Sequence, residues 1–175
     1  MILKPLKPAL LAVFLLGLPV FALPGVCAEE NGDQAALAAA LKNARTTLEQ
    51  GLKASEKNGK PISAKFEIEE GKLHLSVYTM DGDDFKEVVI SPDNGTIESA
   101  EKITDFNDIK GAREQKAVMA NAKTTLVSAT EKAVGQNAGS RAVSVFPKSM
   151  DYGQPVANVT LLRDGTFKTV LEKLN

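Results

Sequence analysis

The sequence predicts an α+β fold of two tandem units, each with one amphipathic helix packed on a three- to four-stranded antiparallel sheet. Three observations carry this: a recurring hexapeptide, a turn-and-strand block that recurs after it in the same order, and apolar spacing that switches from helical to alternating in each half. Asn43-Ala44-Arg45-Thr46-Thr47-Leu48 returns as Asn121-Ala122-Lys123-Thr124-Thr125-Leu126, with one basic residue replacing another. Asp81-Gly82-Asp83-Asp84-Phe85-Lys86-Glu87-Val88-Val89 returns as Asp164-Gly165-Thr166-Phe167-Lys168-Thr169-Val170-Leu171, one residue shorter in the turn. Two matched blocks in the same order indicate duplication, with one unit over 33–104 and a second, shortened copy over 108–175.

In the first unit, Asp33 is the expected cap of a single helix. Its apolar positions Leu37, Leu41, Ala44, Leu48 and Leu52 step by three or four until Asn58-Gly59-Lys60-Pro61 ends it. Strands follow over 62–68 and 73–79 around Glu70-Gly71, with Leu73, Leu75 and Val77 on one face and His74, Ser76 and Tyr78 on the other. Asp81-Gly82 turns the chain into 85–91, and Pro92-Asp93-Asn94-Gly95 turns it into 96–103. The second unit repeats this from about Ile109. Val118, Met119, Ala122, Leu126, Ala129 and Ala133 form one helical stripe, and strands follow over 141–146, 156–163 and 166–174. The segment from Pro147 to Pro155 reads as a long loop in place of the short turn of the first unit. The connection from Glu101 to Lys110 has no Gly/Ser-rich slack, so the units are expected to pack closely.

The N-terminus reads as an export signal. Lys4 and Lys7 precede an apolar run from Ala9 to Ala22, too short to span a bilayer, followed by Pro24 and Gly25. Val26 and Ala28 suit the small-residue pockets of a signal peptidase, which places the cut between Ala28 and Glu29 and makes 1–28 a cleaved signal peptide. The alternatives are acylation at Cys27, which Val26 and Pro24 disfavour, and an uncleaved anchor. Cleavage removes the sole cysteine, so neither unit is stapled by a disulfide. The expected location is periplasmic or secreted, with no stable membrane insertion after cleavage.

Composition excludes further classes. Twenty-one Lys and Arg oppose 22 Asp and Glu, which is no basis for nucleic-acid binding, and one His with one Cys is no basis for a Cys/His metal site. No catalytic, metal or cofactor residues are assigned. His74 alternates with Leu73 and Leu75 and is expected to face solvent on a strand, without partners fixed by spacing. Asp81, Asp83 and Asp84 invite a calcium reading, but Lys86 and Val88 do not continue the pattern of an EF-hand loop, and Asp-Gly marks a turn. Phe85 and Phe167, which with Val89 and Leu171 resemble a pocket lining, read as core residues under the helix of their own unit. The Thr pairs at 46–47 and 124–125 mark either a helix-to-sheet contact or common descent.

The run Leu75-Ser76-Val77-Tyr78, through Asp81-Gly82 to Phe85-Lys86-Glu87-Val88-Val89-Ile90 and on to Asp93-Asn94-Gly95-Thr96-Ile97, resembles the PepSY domain. The resemblance covers about 35–103 well and 112–175 in part. The first unit has Ser91 where the family often has Asp, and the second lacks the closing hairpin. The resemblance implies a non-enzymatic, exported bacterial module that binds a protein or peptide, with restraint of a peptidase as the role suggested for the family. Met150 and Tyr152 in the loop of the second unit are the candidate partner contacts, and an exposed edge strand could accept a peptide by strand addition. The alternative is a small-ligand or metal-binding periplasmic protein that uses the Asp81 to Asp84 turn.

Overall fold

A computed structural model describes the backbone of residues 27–175 and the side chains from residue 33 onward. The segment before Cys27, expected to be most of a signal peptide, lies outside the described residues. The expected cut between Ala28 and Glu29 falls in the first turn of helix α1 (Cys27–Leu41), and neither side chain is described.

Among the described residues the architecture is α+β, with four helices and one seven-stranded antiparallel sheet. The helices are α1, α2 (Leu48–Ser55), α3 (Phe106–Ala120) and α4 (Leu126–Gln136). The strands are β1 (Lys60–Glu69), β2 (Lys72–Asp81), β3 (Asp84–Ile90), β4 (Ile97–Lys102), β5 (Arg141–Ser149), β6 (Pro155–Arg163) and β7 (Thr166–Lys173). Their order is β4-β3-β2-β1-β5-β6-β7, so the strands before and after residue 104 meet edge to edge at β1 and β5. That seam is short, with Ala64 opposite Val145 and Lys65 opposite Ser144.

The single helix expected in each half is two helices. Thr47 caps α2: its hydroxyl accepts from the Gln50 backbone N–H, and the Gln50 side chain accepts from the Thr47 N–H. Thr125 accepts from the Ser128 N–H in the same way at the start of α4. A threonine caps a helix better than it fills one, because its hydroxyl supplies a backbone N–H with the acceptor that the first turn lacks. The chain breaks just before each cap, and the freed backbone donors find strand-end carbonyls. Arg45 and Thr46 donate to the Pro92 carbonyl, while Lys123 and Thr124 donate to that of Leu174. Asp33 therefore lies inside α1 rather than capping it, and α3 is capped by Asp105, which accepts from Asn107 and Asp108.

Alternation along the strands defines two sheet faces. Phe66, Leu75, Val77, Val88, Ile90, Val145 and Val159 are buried on the face that carries α2 and α4. Gly51 lets α2 approach closely, because a Cβ there would collide with Leu75 Cδ2. The opposite face carries α3, which packs across β5 and β1 and whose Asp108 reaches Tyr78 of β2. Phe85 pairs with Met80 on this second face and is buried, so it belongs to the core on the side of the sheet away from α2 and not beneath it. α1 meets the body through its last turns, where Ala38 and Leu41 are buried.

Arg141 ties the halves together. Its Nη1 donates to the carbonyls of Leu41 (2.5 Å) and Ala44 (3.3 Å), and its Nη2 donates to that of Thr46 (3.1 Å). Its guanidinium stacks 5.5 Å from the Phe66 ring centroid. A planar cation on a strand of the second half thus satisfies the last carbonyl of α1 and two carbonyls of the link to α2.

The segment from Pro147 to Pro155 is not a long loop. β5 runs on through Ser149 and β6 begins at Pro155, so the connection shrinks to Met150–Gln154 with one 3-10 turn, Asp151–Gly153. Pro147 is tolerated inside a strand because the β1 ladder stops at Val145, two residues before it.

Candidate functional site

The tip between β5 and β6 places the two candidate contact residues. The Met150 N–H donates to the Gln154 carbonyl at 2.8 Å, and the Gly153 N–H to the Met150 carbonyl at 3.1 Å, which closes the turn. Tyr152 sits between them with φ 59° and ψ 23°, the left-handed region that a side chain adopts at a cost. Its side chain is fully exposed, at 105% of the reference area, and Met150 is exposed at 39%.

Two further exposed apolar residues lie below this tip on β5 and β7. Phe146 pairs with Asn158, and Asn158 with Leu171, so the three share one row on the sheet face away from α2 and α4. Phe146 and Leu171 are exposed at 37% and 49%, while Val145, Val159 and Val170 alternate onto the covered face. Lys148, Val156 and Lys173 form the next row toward the tip. Phe146 was not singled out in the sequence as exposed; period-2 alternation against Val145 was the signal that could have found it. Leu171 faces solvent, not a pocket. The exposed apolar residues thus form two groups, Met150 with Tyr152 at the tip and Phe146 with Leu171 two rows below, with Lys148 and Lys173 between them.

The other residues singled out in the sequence lie elsewhere. His74 is half-buried opposite Glu67, not open to solvent. The carboxylates of the turn from Asp81 to Asp84 diverge: Asp83 pairs with Lys116 at 2.6 Å and Asp84 with Lys102 at 2.5 Å, and each lysine holds its partner's carboxyl below the ordinary range. Among the described residues no three His, Cys, Asp or Glu side chains gather as a metal-holding group.

Beneath α3 lies a cluster that the sequence did not announce. Glu87 pairs with Tyr78 and lies near Glu67 and Lys65, and Asp108 reaches in from the first turn of α3. Burial pushes the Glu87 carboxyl up, against the opposing effect of Ser76 beside it, and burial with Asp105 nearby pushes Asp108 up. Burial also raises the Tyr78 phenol, with Glu87 adding to it. The cluster resists ionisation between a helix and the sheet, and its chemistry is that of a packed polar contact.

No family model matches the chain, and no curated protein or solved structure is similar to it. Among the described residues no helix is long and apolar enough to cross a membrane.

Proposed function

We propose that this protein is an exported, non-enzymatic binding module, periplasmic or secreted, built from two PepSY-like units over 33–104 and 108–175. In this reading it engages a protein or peptide through the β5–β6 tip and restrains an envelope peptidase. The observation that carries the reading is Tyr152, a fully exposed aromatic held in a left-handed backbone conformation in the same turn as exposed Met150. A fold gains nothing by straining a residue to present it to water, whereas a partner contact gains an aromatic anchor that is already in place.

The tandem reading is supported by matched residues with matched roles. Thr46 and Thr124 dock on strand-end carbonyls, Thr47 and Thr125 cap helices, and the Asp-Gly turns at 81–82 and 164–165 each join two antiparallel strands. Lys148 and Lys173 just below the tip favour a partner segment that sets acidic residues beside its apolar anchor.

The test is affinity capture from envelope extract with the mature protein and, in parallel, with a Met150→Ser/Tyr152→Ser variant. Peptidase assays are then run on what is retained. A partner held by the parent, released by the variant and inhibited on binding supports the proposal. Equal capture by both proteins, or no partner across repeated extracts, sinks it.

A further inference from the structure

A cavity of about 600 Å³ opens at the end of the first half's sheet where β1 begins and β2 turns into β3. Four lysines from four places in the fold line it: Lys57 from the 3-10 turn after α2, Lys60 from β1, Lys86 from β3 and Lys116 from α3. Among the described residues Lys57, Lys60 and Lys86 take part in no ion pair. Lys116 is held by Asp83, itself 99% exposed, and by the Gly82 carbonyl. Glu56 and Asp81 also line the cavity, so the lysines outnumber the acids there.

Asn58 lines the same cavity, and its Nδ2 is buried without a hydrogen-bond acceptor. An unpaired buried donor is costly, and a torsional turn of the amide would let an acceptor in the cavity satisfy it. The second half shows how such a place is closed from within. Lys168, the match of Lys86, donates to Asn137 Oδ1 at 3.1 Å, and Asn137, which ends α4 as Asn58 ends the helical segment of the first half, donates its Nδ2 to the Ala133 carbonyl at 2.8 Å. There the asparagine is satisfied on both sides and the lysine is spent on it. In the first half both partners remain available.

We propose that this cavity binds an oxyanion of the phosphate class. Ammonium groups act as point charges and suit a tetrahedral anion approached from several directions, and no arginine lines the cavity to favour the planar, two-pronged recognition of a carboxylate. The volume exceeds that of a bare ion, which favours a small organic phosphate. The site is separate from the β5–β6 tip, so its failure leaves the protein-binding proposal standing.

The test is titration of the full mature protein with inorganic phosphate and with glycerol phosphate. It is followed by backbone amide shifts and, independently, by thermal unfolding at constant ionic strength. Saturable shifts confined to residues 56–60, 80–86 and 116, at least tenfold weaker binding in Lys60→Gln/Lys86→Gln, and unchanged binding in Lys148→Gln support the site. Tighter binding of glycerol phosphate identifies an organic ligand, and equal binding identifies the inorganic ion. Non-saturating shifts spread over the surface lysines, or a double variant that folds and binds like the parent, overturn it.

Discussion

Lys53 of α2 donates to Glu131 of α4 at 2.6 Å, and the two residues stand 78 positions apart, the displacement that separates the recurring hexapeptides. A residue that touches its own repeat counterpart lies at a local two-fold axis, as a residue near the dyad of a symmetric dimer does. The repeat that we propose therefore has its axis between α2 and α4 on one face, and the same axis explains why β1 meets β5 at the centre of the sheet order. Two short units gain in this way one sheet and one shared helix layer, an arrangement suited to halves that are small and have no disulfide.

The first prediction concerns that pair. Lys53→Glu places two acids together and lowers the thermal midpoint, and Lys53→Glu/Glu131→Lys restores most of the loss. Both side chains are about half exposed, so neutralising either one has a small effect. A double swap no more stable than the single would show that the two are not coupled.

The caps are the second. Thr47→Ala and Thr125→Ala each remove the acceptor for a first-turn N–H, and each is expected to lower unfolding stability by about 1 kcal/mol in denaturant titrations. Thr47→Ser and Thr125→Ser keep the acceptor and should lose much less. If Ala and Ser variants are equally stable, the breaks in the helices are held by something other than the caps.

Most strands were legible in the sequence, for a local reason. Asp81-Gly82, Asp164-Gly165 and Glu70-Gly71 mark turns because glycine takes the positive φ seen at 71, 82 and 165, and alternation between the turns fixes the faces. The helix breaks were not read, although Thr47 and Gln50 have the spacing of a capping box, because Leu41, Ala44, Leu48 and Leu52 keep a helical period across the break and hide it. The helix covering Phe85 was misassigned for a different reason. Periodicity says that a face is buried, but only topology says what buries it, and the strand register puts Phe85 on the face away from α2. For the candidate site, Met150 and Tyr152 were legible as large apolar residues among turn formers, whereas the cavity of the four lysines draws on four separated segments and left no local pattern.

The third prediction follows from Arg141. Arg141→Lys keeps the charge but cannot span the carbonyls of Leu41, Ala44 and Thr46 while stacking on Phe66. A loss of roughly 2 kcal/mol is expected, the magnitude for hydrogen bonds from a charged donor at a half-buried site. Faster amide exchange should appear at the end of α1 and in residues 42–46. A stability equal to the parent would show that α1 does not depend on this cation.

The fourth concerns pH. Glu87 and Asp108 have carboxyls raised in the folded state, so folding takes up protons there as pH falls from neutral through their raised values to the ordinary carboxylate range. Their contribution to stability is complete below the unfolded value and is lost as pH rises through the folded one. Asp83 and Asp84 have carboxyls lowered by lysines, so their contribution is lost at the acid end, as pH falls below the ordinary carboxylate range through their lowered values. Stability measured by denaturant across pH should therefore rise from pH 7 toward the ordinary carboxylate range and fall below it. Glu87→Gln should flatten the rise without moving the acid fall. A parent whose stability declines steadily from pH 7 would contradict the sign.

The last prediction separates folding from binding at the β5–β6 tip. Tyr152 holds φ 59° in a turn whose next residue, Gly153, has φ 75°, so the turn demands left-handed backbone at both positions. Glycine adopts that region freely, and Tyr152→Gly is expected to raise unfolding stability by about 1 kcal/mol, less the entropy glycine gains in the unfolded chain. The same change deletes the exposed ring, so partner capture should weaken while the thermal midpoint holds or rises. Phe146→Ser offers the complementary measurement, because it removes a neighbouring apolar contact without altering the turn. A Tyr152→Gly protein that is more stable and still retains its partner would mean that the strained tyrosine serves neither the fold nor the proposed contact, and the binding surface would have to be sought away from the tip.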